Sequence, residues 1–212
     1  MLSSFNFWDN PSLHQRGGEM VRHMWGNSLM VMVLAACVLL PGRVQGAEFD
    51  VSKFNQEVGL RFAYGKNTQK ASVHLYSLLP RWGIFLMAPG KSWSPFGASF
   101  VVEGIASIAG ADEVGFEMGV TPMVKFSCLL FPSVLAYIEG GAGIISESIN
   151  SPALAHSFNF TPQAGAGFDI ALTPQVALSV AYRFRHSSNA GIYKENPAFN
   201  VNFFQAGLNY YY

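Results

Sequence analysis

From residue 57 onwards, apolar and polar side chains alternate in short runs separated by clusters of Gly, Pro, Asn and Ser. The runs cover 57–65, 71–80, 97–109, 113–127, 133–146, 157–172, 175–187 and 201–212. Residues two apart share one face of a strand. Val58, Leu60, Phe62 and Tyr64 therefore oppose Glu57, Gly59, Arg61 and Ala63. In the same way Val114, Phe116, Met118 and Val120 oppose Glu113, Gly115, Glu117 and Gly119. In the sixth run Phe158, Phe160, Ala164, Ala166, Phe168 and Ile170 oppose Asn159, Thr161, Gln163, Gly165, Gly167 and Asp169. The second run is ambiguous. Pro122 and Pro162 cannot donate to a ladder, so each predicts a bulge or a strand end. Most runs reach the roughly 9–11 residues that a tilted strand needs to cross a bilayer.

This alternation fits two architectures, a soluble barrel with its apolar face inside or a membrane barrel with its apolar face on lipid. Composition separates them. Only 12% of residues are charged while 50% are hydrophobic, against about 25% charged in an ordinary soluble domain. No run in the barrel region approaches the roughly 18 apolar residues of a spanning helix. Arg61, Glu103, Glu117, Lys125, Glu139, Asp169 and Arg183 all fall on polar faces, where opposite charges would fill a narrow lumen. The chain closes on "FFQAGLNYYY", which resembles the C-terminal signal of bacterial outer-membrane proteins. In a soluble domain such a strand would be an open edge. The expectation is an all-β protein, an eight-stranded antiparallel transmembrane β-barrel in the bacterial outer membrane. The formal net charge of zero gives no reason to expect a nucleic-acid partner.

Residues 1–46 read as an N-terminal extension and signal peptide, and 47–212 as the barrel. Met20 is the expected start, followed by Arg22, an apolar run over 28–42 and a cleavage point after Gly46. Two alternatives stay open. The run could be a membrane anchor, although it is short for one, and "LAAC", ending at Cys37, resembles a lipoprotein cleavage box. Beyond residue 46 the one cysteine is Cys128, so an intrachain disulfide is excluded there, and an apolar filler is the expected role.

Candidate chemistry lies at the end of the seventh run. Val176, Leu178, Val180, Tyr182 and Phe184 share a face, and the next residues by twos are His186 and Ser188. With a turn centred near Tyr193, His186 falls opposite Asn200, on the parity of Asn202, Phe204, Ala206 and Leu208. A histidine and a serine on the lipid-facing row suggest an esterase acting on lipid, the imidazole taking the serine proton. Eight strands place both termini on the periplasmic side, so this pair is expected at the extracellular interface. Ser187 faces the lumen on this register. His74 and His156 read as interfacial polar residues. "EGGAG" and "AGAGF" lack the Lys-Ser/Thr and following helix of a phosphate loop and read as strand glycines.

The stretch "RHSSNAG" followed by "NPAFN" resembles the active-site segment of the lipid A 3-O-deacylase (PagL) family of outer-membrane enzymes. "LPRWG" at 79–83 and "EGGAG" at 139–143 extend the resemblance over most of the barrel region. H-x-S-N-A-G is its specific part. The resemblance implies a carboxylic ester hydrolase with Ser188 as nucleophile, His186 as general base, and Asn189 with the Gly191 backbone stabilising the oxyanion. Asn200 stands where the family has an orienting glutamate, and Glu195 is the alternative orienter. No metal or other cofactor is implied. The implied partners are lipid A or lipopolysaccharide as substrate and the outer membrane, with a homodimer left open. The competing class is a non-catalytic structural or adhesive barrel.

Overall fold

The structure, a computed structural model, describes residues 47–68, 73–91, 94–110, 114–149, 157–195 and 198–212. The signal-peptide, start-site and Cys37 readings, along with Glu113 and His156, lie outside the described residues. A short 3₁₀ turn at Val51–Lys53 precedes eight strands: β1 Gln56–Asn67, β2 His74–Met87, β3 Phe96–Gly110, β4 Val114–Phe131, β5 Val134–Glu147, β6 Phe158–Ala171, β7 Val176–Ser187 and β8 Phe199–Tyr211. Each pairs antiparallel with the next, and β8 returns to β1, giving a closed barrel with no free edge.

Several strands run past their sequence-derived limits, while β6 and β7 fall just inside theirs. β2 runs through Pro80 to Met87, and β8 begins at Phe199, which puts Asn200 inside the ladder. The prolines explain part of this difference. Pro80 pairs with Leu60, Pro122 with Val102 and Pro162 with Ala142, all in unbroken register. The ladders from Pro80 to β3 and from Pro122 to β5 skip them without a shift. In an antiparallel pair a residue's N–H faces only one neighbour, so a proline costs one bond and leaves the strand intact. The register shifts instead fall between Phe85 and Met87 and between Leu129 and Phe131.

Burial is inverted relative to a soluble protein. Phe62, Tyr76, Met118, Phe126 and Ile138 lie between 56% and 70% exposed, whereas Arg61, Glu103, Lys125 and Asp169 are at 0%. An apolar exterior around a charged interior is the signature of a membrane barrel. Inside, Arg61 bonds Glu139 at 3.1 Å, and Arg81 bonds Glu139 at 2.9 Å. Arg183 reaches both Glu103 and Glu139. Lys125 bridges Glu57 at 2.7 Å and Asp169 at 3.2 Å. Every one of these charges has lost its water, and pairing offsets that cost rather than adding large net stability.

Apolar clusters close the lumen above and below this layer. Phe49, Val51, Leu135, Ala171, Ala177 and Tyr211 pack at the end where β1 starts and β8 stops. Leu75, Leu79, Ile105, Ile145, Phe199, Val201 and Phe203 pack towards the other. An eight-stranded barrel has an interior just wide enough for side chains, and here they occupy it.

Aromatic rows mark both rims of the outer wall. At the end where β1 starts and β8 stops, Tyr210 and Trp82 flank Val58 in register. Gln56 accepts from Trp82 Nε1 at 3.1 Å and from the Tyr212 hydroxyl at 3.2 Å. At the opposite rim Tyr182, Phe204, Tyr64 and Tyr76 follow one another across β7, β8, β1 and β2. Amphipathic rings of this kind sit at headgroup depth.

Candidate active site on the outer wall

The end of β7 and the start of β8 form a two-stranded shelf just beyond that second aromatic row. The register puts His186 directly opposite Asn200. Both side chains are half-buried and share the outward parity of Phe184 and Asn202. Asn200 Oδ1 lies 2.7 Å from His186 Nδ1. An amide oxygen only accepts, so this contact puts the ring proton on Nδ1 and leaves the Nε2 lone pair to act as a base.

The shelf is held from inside. Arg185, between Phe184 and His186, points into the lumen and grips Glu117 with two bonds of 2.6 and 3.2 Å. Its guanidinium lies 5.0 Å from the centre of the Phe203 ring. Phe199 and Val201 flank Asn200 and are fully buried. Charged and apolar anchors on one face thus fix the outward residues between them.

Ser188 follows His186 on the same outward parity and is half-buried. Its main chain exchanges two bonds with Phe160, of 2.8 and 3.1 Å, which extends the wall one step past β7. Among the described residues no direct bond joins Ser188 Oγ to His186. Such bonds are often long before substrate arrives. Ser187 points the other way, fully buried, its hydroxyl unpartnered inside the barrel.

After Ser188 the chain reverses. Ala190 and Gly191 have φ of 53° and 83°, and Ile192 N–H donates to Asn189 O at 3.1 Å. Positive φ at both central positions marks a type I′ turn, in which Gly carries no steric penalty and Ala does. Asn189 is 2% exposed. Its Oδ1 accepts from Gly191 N–H at 2.9 Å, and its Nδ2 donates to Glu195 O at 2.7 Å. The two groups assigned to the oxyanion are therefore turned towards each other. Glu195 is exposed and enters through its main-chain carbonyl. Among the described residues its carboxylate makes no bond to His186.

Sequence reasoning missed a second histidine contact on this rim. His74 Nδ1 lies 2.7 Å from the Tyr64 hydroxyl, and the rings stack with centroids 5.8 Å apart. The shared parity of Tyr64 and His74, on strands joined by one turn, was the available signal. His74 remains an interfacial residue. Among the described residues no cluster of His, Cys, Asp and Glu could hold a metal ion.

Comparison with known proteins bears on this arrangement. A family model described as lipid A 3-O-deacylase (PagL) matches residues 80–209. That range takes in most of the barrel and the whole β7–β8 shelf. Nothing matches among curated proteins. Among solved structures, the crystal structure of the outer membrane enzyme PagL is 22% identical. It covers 70% of this chain and 97% of that one, with a TM-score of 0.59. Neisserial surface protein A is 15% identical, over 74% of this chain and 97% of that one, with a TM-score of 0.54. At these identities the two structures establish the fold, and the family match establishes the kinship. The chain belongs to the lipid A 3-O-deacylase (PagL) family of outer-membrane hydrolases.

Proposed function

We propose that this barrel is a serine esterase that removes an ester-linked acyl chain from lipid A in the outer leaflet. Ser188 is the nucleophile, His186 the general base and Asn200 the residue that orients the imidazole. The observation that carries this reading is the 2.7 Å contact between His186 Nδ1 and Asn200 Oδ1, on the outward wall that also bears Ser188. It leaves Nε2 unprotonated on the side of the barrel where lipid esters are found.

The chemistry follows in two halves. Ser188 Oγ attacks the ester carbonyl while Nε2 takes its proton. The tetrahedral oxyanion takes the Gly191 N–H that Asn189 Oδ1 holds in the resting turn, and Asn189 Nδ2 serves it only on leaving the Glu195 carbonyl. Collapse expels the sugar oxygen, which takes the proton back from the imidazolium, and an acyl-serine remains. Water, deprotonated by Nε2, then releases the fatty acid and restores Ser188. Asn200 holds the ring but offers no charge to the imidazolium, so the expected enzyme is slower than one with a carboxylate there. The end bearing this site faces outward from the cell, with the start of β1 and the end of β8 at the periplasmic rim.

The test is release of free fatty acid from purified lipopolysaccharide in detergent, with lipid A mass spectra before and after. Loss of one ester-linked acyl group, abolished by Ser188→Ala without change in heat-modifiable migration, is the expected result. If neither protein releases acid, the reading as a non-catalytic barrel replaces this one.

A further inference from the structure

Charge on the strands is sorted with a single exception. Every Arg, Lys, Asp and Glu of β1–β8 faces the lumen except Lys66. Lys66 is exposed on the outer wall near the end of β1, two strands round from β7. The interior cations Arg61, Arg81, Lys125, Arg183 and Arg185 each have a carboxylate within ion-pair distance. Lys66 has none among the described residues.

Its surroundings define a depth and a direction. In register Lys66 lies between Asn202 of β8 and His74 of β2. The aromatic row of Phe204, Tyr64 and Tyr76 runs one outward-facing step below. Around the same rim β3, β4 and β6 present Ile108, Phe116, Phe158 and Phe160, and β5 presents the neutral Ser146. Among the described residues of β1–β8 at this rim, the outward ammonium, imidazole and amide groups therefore lie on one sector, β7–β8–β1–β2, and that sector includes His186 and Asn200. Two interstrand spacings of about 4.8 Å and two residues of rise put the Lys66 and His186 backbones roughly 12 Å apart. One amphiphile headgroup can span that gap.

A lysine serving only to anchor the barrel by reaching into any headgroup layer has no reason to share a sector with the reactive pair. We propose that Lys66 binds a phosphate carried on the glycolipid substrate, and so sets which headgroup is presented to Ser188. The ammonium supplies a charge-assisted contact to the phosphate oxygens, at a depth where Tyr64 and Tyr76 bound the hydrocarbon. The headgroup then lies across β8 and β1, with the ester at the β7 end. This inference rests on lipid A being the substrate, but it concerns binding and can be tested apart from turnover.

The experiment uses the full-length protein in detergent carrying Ser188→Ala, so that lipid is not consumed. Dissociation constants are measured for phosphorylated lipid A and for the same lipid A stripped of its phosphates. The phosphorylated form should bind about tenfold more tightly. Lys66→Gln should collapse that ratio to near one, and Lys66→Arg should restore most of it. Millimolar inorganic phosphate should leave the ratio unchanged, because the bound group is lipid-borne. An unchanged ratio in Lys66→Gln overturns the proposal, as does Lys66→Arg behaving like Lys66→Gln, or displacement of the lipid by free phosphate. If the ratio responds to Lys66 while protein with Ser188 intact releases no fatty acid, the headgroup site stands and the esterase reading falls.

Discussion

Two histidines stand on the outer wall at the same rim, each with Nδ1 2.7 Å from an oxygen. They differ in what that oxygen can do. The partner of His186 is an amide oxygen, which accepts only, so the tautomer is fixed and Nε2 is left basic. The partner of His74 Nδ1 is the Tyr64 phenol, which donates or accepts, so this contact does not impose a tautomer. Their positions differ too. His186 is followed by Ser188 and a left-handed turn, and the inward side of its strand is clamped by Arg185 and Glu117. His74 opens its strand and stacks on a tyrosine. A hydrogen-bonded histidine at a membrane rim is thus not by itself a catalytic candidate; the amide acceptor behind His186 and the hydroxyl two residues ahead of it are what His74 lacks in this arrangement.

The most severe test of that distinction is to delete the chemistry on one side only. Ser188→Ala or His186→Phe should lower fatty-acid release by about 10³-fold or more, as removal of a member of such a set does elsewhere. A residual rate within tenfold of the parent would erase the difference between the histidines.

Next in size is the clamp. Arg185→Ala strands Glu117 in the lumen, and breaking a buried pair this way costs about 3–5 kcal/mol. The folded band on unheated gels should disappear at a lower temperature, and release should fall with it. A mutant with unchanged thermal migration would show that the inner anchor is dispensable.

Asn200 sharpens the comparison in both directions. Asn200→Ala removes the acceptor and should cost about 10–100-fold in kcat. Asn200→Asp keeps an acceptor and adds a charge that stabilises the imidazolium as it forms. Its kcat should rise about tenfold. A flat response to both changes would remove Asn200 from the scheme. The smallest effect is expected at the other histidine. His74→Phe keeps a ring against Tyr64 and should alter release by about threefold or less in a fatty-acid assay.

Much of the barrel could be read before any coordinates, because lipid and lumen impose opposite chemistry on alternate residues. Arg61, Glu103, Glu117, Lys125, Glu139, Asp169 and Arg183 were placed inside by parity alone, and all are buried. Parity fails where both faces are apolar. In β2, Leu75 and Leu79 point inward to the packed end of the lumen while Tyr76 and Leu78 point out, so the alternation vanishes. Val201 and Phe203 belong to the same inner cluster. The pairing of His186 with Asn200 follows from counting outward from the turn. What the turn does with its own polar atoms does not, since Asn189 and Gly191 satisfy each other through φ values that spacing leaves undetermined. Lys66 was equally hidden, because one charge in a strand carries meaning only once its face is known.

The filled interior has a consequence for the cell. With salt-bridged side chains across the middle and packed hydrocarbon towards each mouth, the described residues leave the cylinder no room for a solute. An outer membrane carrying many copies of this barrel would gain no aqueous path through its lumen for antibiotics or detergents.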